Sequence, residues 1–236
     1  MIVIAVPTLV AAMLVGDRAH VHAAPFRTVL VAADRGACAA EQTAEKNMAC
    51  AVALTDIWLA HRGRSSAVRQ TVRVLDPSAG VSWNSVNRDV CGYAQIGTVI
   101  SLGLHHCNST TFVNPAADAP LITTRARAVT VLLHESSHGV QEAVGRKPVS
   151  ATLFGPAEEM RRLENASDCW SGAGWAWLVA DGQLSARDLA EATTFMYSLP
   201  DRANHGAGPE RGRAFERGVV EGGAACDQIL GQRAYT

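Results

Sequence analysis

Apolar residues recur at helical spacing over residues 40–62, where Ala49, Val52, Ala53, Ile57 and Ala60 form a mostly apolar stripe with Asp56. The same periodicity predicts a helix over 123–145, with Thr123 or Thr124 as its cap and Gly145 and Pro148 as its stop. A second long helix is predicted over 158–178, although Gly172 and Gly174 weaken its middle. Ser185-Ala186-Arg187-Asp188 reads as the start of a helix running to about Tyr197. Arg211 to Gly222 reads as a last helix, stopped by Gly222-Gly223. β-Branched residues in TVRVLD (71–76) and AQIGTVISLG (94–103) predict strands, with a turn-rich stretch between them. Residues 108–120 read as a loop carrying one short strand. The fold class this predicts is α+β and mainly helical, with a small β element preceding the 123–145 helix and no linker dividing the chain.

Length and composition narrow this picture. A chain of 236 residues, 48% hydrophobic and 18% charged, can bury a substantial core, and residues 24–236 are read as a single domain. The formal net charge of -1 points away from nucleic acid and from anionic membrane surfaces as partners. Residues 1–23 begin with MIVIAVPTLVAAMLVG, an apolar run short of the ~20 residues a membrane span needs. With Val21-His22-Ala23 as a small-x-small site, the segment reads as a signal peptide or an N-terminal anchor. No Lys or Arg precedes the run, which leaves both forms open.

The six cysteines agree with export. An even count in an exported chain suggests disulfides, and six cysteines allow 15 pairings among which sequence does not choose. Pairing of near neighbours would join Cys38 with Cys50 and Cys91 with Cys107, leaving Cys169 for Cys226. The expected location is therefore secreted or cell-envelope, with a membrane tether through the N-terminus as one form of it.

The chemistry sits in the 123–145 helix. His134-Glu135-Ser136-Ser137-His138 reads HExxH. Residues four apart share a helix face, so two imidazoles can grip one metal ion while Glu135 reaches a water on it. Catalytic zinc takes three protein ligands, and the downstream Gln141-Glu142 offers no third histidine. Glu164 on the next long helix is the candidate third ligand. Asp168 repeats the four-residue spacing, where it can accept a hydrogen bond from the outer nitrogen of a ligand histidine. Of the adjacent His105 and His106, at most one could join the same site. A helix bearing HExxH against one bearing ExxxD is the arrangement of thermolysin-like zinc peptidases, so a zincin-like metallopeptidase domain is the fold it implies.

Three segments together resemble the neutral zinc metallopeptidase family of bacteria: HESSHGVQ, LENASDCWSGAGWAW and NHGAGPERGRAFERG. The likeness is best over about residues 125–226. It implies a Zn²⁺-dependent peptidase, often exported or membrane-tethered, with His134, His138 and Glu164 as ligands and Glu135 as catalytic base. The late His-Gly segment singles out His205 as a second catalytic candidate, stabilising the oxyanion. Tyr197 is a weaker candidate for that role, and Arg211 is read as orienting a carboxylate or, the favoured reading, as pinning the C-terminal helix. Trp170, Trp175 and Trp177 are read as core residues. The chain departs from the family where a Tyr-Cys-Pro segment and a Tyr-x-Asp strand would precede the zinc helix; here Cys91 stands without them, and Ser167 replaces an alanine. These departures bear on substrate preference more than on zinc.

The function so predicted is that of a zinc endopeptidase acting on protein or peptide substrates. The alternatives are a non-catalytic, zinc-stabilised envelope binding or maturation factor, and a zinc amidase acting on a non-protein amide.

Overall fold

A computed structural model describes residues 28–39, 43–64, 71–75, 104–114, 118–148, 151 and 155–236. Among these, four short strands form one mixed sheet in the order β1-β2-β4-β3: β1 (Thr28–Leu30), β2 (Thr71–Leu75), β3 (His105–Cys107) and β4 (Thr110–Val113). β1 runs antiparallel to β2, β2 parallel to β4, and β3 antiparallel to β4. The β3–β4 hairpin turns on Asn108 and Ser109, at φ 46° and 59°. Two positive φ values in a two-residue loop match the twist of the flanking strands. The expected leader at 1–23 and the expected strand at 94–103 lie outside the described residues. The strands β1 and β3 were not foreseen from the sequence.

The helices carry the core. They are α1 (Ala44–His61), α2 (Ala119–Ile122), α3 (Arg125–Ala143), α4 (Ala157–Ala180), α5 (Ala186–Ser198), α6 (Gly208–Glu221) and α7 (Gly223–Leu230). α1 lies deeper than its stripe predicted. It buries Met48, Cys50, Leu54, Thr55, Trp58 and Leu59, while Asp56 and Ala60 of the expected stripe are exposed. Asn47, also buried, donates to the Ile122 carbonyl at 3.0 Å. Gly222 ends α6 as predicted, and α7 starts at once behind it.

Thr124 caps α3 by accepting from the Arg127 amide. Ser185 and Asp188 close a full capping box on α5. Arg125 at the first turn of α3 reaches Asp188 at 2.6 Å, which ties the two helix starts together.

α4 runs through Gly172 and Gly174 without a break. Gly172, which weakened it on propensity, is required by packing. A Cβ on Gly172 would strike the Phe215 carbonyl, and one on Gly218 would strike the Cys169 carbonyl. α4 and α6 therefore lie backbone to backbone. The Cys169–Cys226 disulfide joins α4 to α7, and Cys38–Cys50 fastens the segment before α1 to that helix. The expected Cys91–Cys107 pair includes Cys91, which lies outside the described residues.

Buried polar side chains lock α3 against α4. Trp175 Nε1 donates to Thr130 Oγ1 at 2.9 Å, Ser171 Oγ to the Thr130 carbonyl at 2.9 Å, and Trp170 Nε1 to Ser136 Oγ at 3.2 Å. A sliding helix would leave these donors unpaired in the core, so the register of the two helices is fixed. Trp170 and Trp175 are core residues, as the sequence suggested, and Trp177 stacks on His61 nearer the surface.

Candidate metal centre

The fixed register brings the i, i+4 pairs of α3 and α4 face to face. His134, Glu135, His138, Glu164 and Asp168 are all at most 7% exposed. His134 Nε2 lies 3.1 Å from Glu164 Oε2, and His138 Nε2 lies 3.7 Å from Glu164 Oε1. The rings of His134 and His138 meet edge to face, with centroids 5.1 Å apart. Behind them, His134 Nδ1 donates to Asp168 Oδ1 at 2.7 Å and His138 Nδ1 donates to Gln141 Oε1 at 3.1 Å. Both imidazoles are thus held from the rear with Nε2 turned toward Glu164.

His205 joins them from another element. It sits in the tight turn between α5 and α6, where Gly206, at φ 83°, donates to the Arg202 carbonyl at 2.8 Å. Its Nε2 is 3.2 Å from Glu164 Oε2, and its side chain remains 28% exposed. The donor atoms of His134, Glu164 and His205 all lie within 4.8 Å of one another. His138 stands outside that trio, 3.7 Å from the other Glu164 oxygen. His134 and His138 have the support behind the ring that metal ligands carry, from Asp168 and Gln141. His205 Nδ1 is buried without a hydrogen-bond partner among the described residues, whereas ligand histidines almost always have one.

The charges describe a place prepared for a cation. Burial opposes the imidazolium of His134, but the Asp168 and Glu164 carboxylates outweigh it and push its pKa up to about 10. Burial drives His138 down to about 4. Burial also opposes ionisation of Glu164, yet the imidazoles of His205, His138 and His134 hold its carboxyl well below the usual range. Asp168 is held low by Arg211, which overcomes burial with bonds of 2.8 and 2.9 Å from Nε and Nη2. A metal ion held here would take the place of the proton on His134 Nε2. Two or three imidazole nitrogens with one carboxylate form a ligand cluster geometrically consistent with zinc.

Glu135 follows His134 on the same helix. Burial raises its pKa to about 8, a shift that a cation held by the cluster would oppose, and its Oε2 is buried with no partner among the described residues. An acceptor left open beside a metal cluster is placed to take a proton from a water there, the position of a general base.

An HExxH motif met by a carboxylate from a second helix is consistent with a gluzincin-type zinc metallopeptidase triad. No family model, no curated protein and no solved structure matches the chain, so the assignment rests on the residues and their geometry.

The remaining candidates separate cleanly. His106 is buried, with Nδ1 3.0 Å from Thr111 Oγ1 and Nε2 3.6 Å from Glu142, and His105 stacks on Phe112. Neither belongs to the cluster. The Tyr197 hydroxyl donates to Glu216 at 2.6 Å and is committed there. Arg211 pins Asp168, a more specific task than pinning its helix. Sequence reasoning missed the task of Gln141, although its place three residues after His138 was a usable signal. Tyr235, whose hydroxyl lies 2.7 Å from Gln141 Nε2, carried no signal at all.

Proposed function

We propose that the protein is a zinc-dependent endopeptidase, with His134, His138 and Glu164 holding Zn²⁺ and Glu135 as general base. The observation that carries this reading is the junction of His134, His138 and Glu164 beside the open Oε2 of Glu135. Zn²⁺ held by these three residues would supply an acidified water and a polarised scissile carbonyl. Glu135, with its open Oε2, would take a proton from such a water and return it to the leaving amine. His205, the most exposed member of the cluster, donates from Nε2 to the developing oxyanion. Asp168 keeps the His134 proton on Nδ1, so that Nε2 presents its lone pair to the ion.

A protein or peptide is the substrate class this chemistry serves. The disulfides support an oxidising, extracytoplasmic location. In that reading residues 1–23 direct export or tether the chain, and residues 24–236 are the catalytic domain. A zinc-stabilised binding factor would need no general base, and the placement of Glu135 counts against it.

The test is metal content of the purified protein together with cleavage of a denatured-protein or peptide library. Stoichiometric zinc and cleavage abolished by a chelator are expected. Cleavage unaffected by complete zinc removal would overturn the proposal, and cleavage confined to non-protein amides would make the enzyme an amidase.

A further inference from the structure

The outer nitrogen of His138 leads, through neutral groups only, to the C-terminal tail. We propose that Tyr235 is a positioning residue of the metal centre, fixing the tautomer and orientation of His138 through Gln141. The inference rests on the reading of His138 as a metal ligand.

The direction of the chain follows from one group that has no choice. The Leu163 backbone carbonyl can only accept, and Gln141 Nε2 lies 2.9 Å from it. The amide nitrogen must therefore face Leu163. Its second hydrogen has its shortest acceptor in the Tyr235 hydroxyl at 2.7 Å, with Ser167 Oγ at 3.1 Å and Ser137 Oγ at 3.4 Å further off. Gln141 Oε1 is then left facing His138 Nδ1, which must carry the proton to donate to it. The Nε2 lone pair is freed toward Glu164. A turned amide would set oxygen against oxygen at Leu163 and donate to His138 Nδ1, moving the ring proton to Nε2 and taking the lone pair away from Glu164.

The Tyr235 hydroxyl lies 2.7 Å from Ser137 Oγ as well, so it can accept from Gln141 and donate to Ser137. Ser137 lies within the HExxH motif, so the tail grips the metal helix at two residues. The tail is itself clamped from outside the site. Asp227 Oδ1 accepts from the amides of Ala234 and Tyr235 at 2.6 and 2.7 Å. Arg62 donates to the Tyr235 carbonyl at 2.7 Å, and Arg64 to the Ala234 carbonyl at 2.6 Å. Gly223 lets the chain pass, since a Cβ there would lie 2.7 Å from the Tyr235 carbonyl oxygen. The ring is fully buried, its centroid 5.1 Å from that of Trp170. Four side chains and a glycine thus deliver one hydroxyl to the back of the zinc helix.

Tyr235→Phe removes that oxygen and keeps the ring. The measurement is zinc affinity of the full chain by competition with a chromophoric chelator, with peptidase activity followed at limiting and at saturating zinc. Expected is an affinity loss of about tenfold, the low end for outer partners of ligand histidines. Activity should fall at limiting zinc and recover at saturating zinc, a rescue that a merely structural defect would not show. Wild-type zinc affinity in Tyr235→Phe overturns the proposal. Should that variant fail to fold, Gln141→Met tests the same link one step nearer the metal, and wild-type affinity there overturns it equally. A wild-type protein that binds no zinc overturns the metal reading itself, whereas tight wild-type binding with unaltered variants overturns only the role of Tyr235.

Discussion

Asp168 Oδ1 accepts the Nδ1 proton of His134 at 2.7 Å from a position with no solvent exposure. The same carboxylate receives two bonds from Arg211. One buried anion therefore serves a cation on one side and a ligand imidazole on the other. The second histidine of the motif, His138, has the neutral amide of Gln141 in the corresponding place. The two imidazoles are unequal as ligands, with His134 the more electron-rich.

Asp168→Asn tests this inequality. Its one carbonyl oxygen cannot serve both His134 and the Arg211 fork, and its NH₂ would meet a donor. Zinc affinity should fall about 10–100-fold, the usual cost of losing an outer carboxylate. The uncompensated Arg211 should lower stability by about 3–5 kcal/mol. Chelator competition and thermal melting read the two effects separately, and a variant unchanged in both would mean that the Asp168 contacts are idle.

Glu135→Gln should retain stoichiometric zinc, because Glu135 lies outside the ligand set. Hydrolysis should fall by about 10²–10⁴-fold with the loss of the base. Turnover at the wild-type rate in this variant is the result that would remove Glu135 from the mechanism.

His205→Ala separates two roles for a residue that touches Glu164 from the open side of the site. As an oxyanion donor it should cost about 10²–10³-fold in kcat, with KM and zinc content little changed. Loss of zinc in parallel with activity would instead make His205 a ligand, as its closeness to His134 and Glu164 would allow.

The parts of the site that were legible in the sequence are those written into one helix at a time. HExxH and ExxxD each set two side chains on one helix face, and spacing alone reveals that. Asp188 and Ser185 likewise announced the start of α5. What stayed hidden depends on meetings across the chain. Arg211 finds Asp168 because Gly172 and Gly218 let α6 lie against α4, and there the local cost of glycine argued the wrong way. Tyr235 reaches Gln141 only after the tail has folded back, a placement set by Arg62, Arg64 and Asp227 and by no local pattern. β3 was missed because LGLHHC shows no alternation, and its pairing with β4 depends on the Asn108-Ser109 turn.

The helix starts of α3 and α5 give a pH prediction. Burial opposes ionisation of Asp188, but its bonds to Ser185 and Arg125 outweigh this and lower its pKa below the ordinary 3.8. A carboxyl shifted down stabilises the fold above the unfolded value and loses that contribution as pH falls through the folded value. Asp188→Asn should therefore melt a few degrees below wild type at pH 7. The gap should close as the pH is taken below about 3.8, and a gap that persists at low pH would assign the effect to packing.

The two disulfides should differ in weight. Each stabilises mainly by restricting the unfolded chain, and the restriction grows with the loop closed. Cys38–Cys50 spans a sequence separation of 12, and Cys169–Cys226 one of 57. On chain entropy alone these correspond to about 3 and about 4 kcal/mol. The longer bridge also joins α4, which carries Glu164 and Asp168, to α7, whose Asp227 holds the tail. Replacing Cys169 and Cys226 together by Ala should lower the melting temperature by about 8–16 °C for a chain of this size. Replacing Cys38 and Cys50 should lower it by less, and only the former pair should also weaken zinc binding. Equal losses, or a larger loss from the Cys38–Cys50 pair, would show that native-state packing rather than loop closure sets the contribution of these bonds.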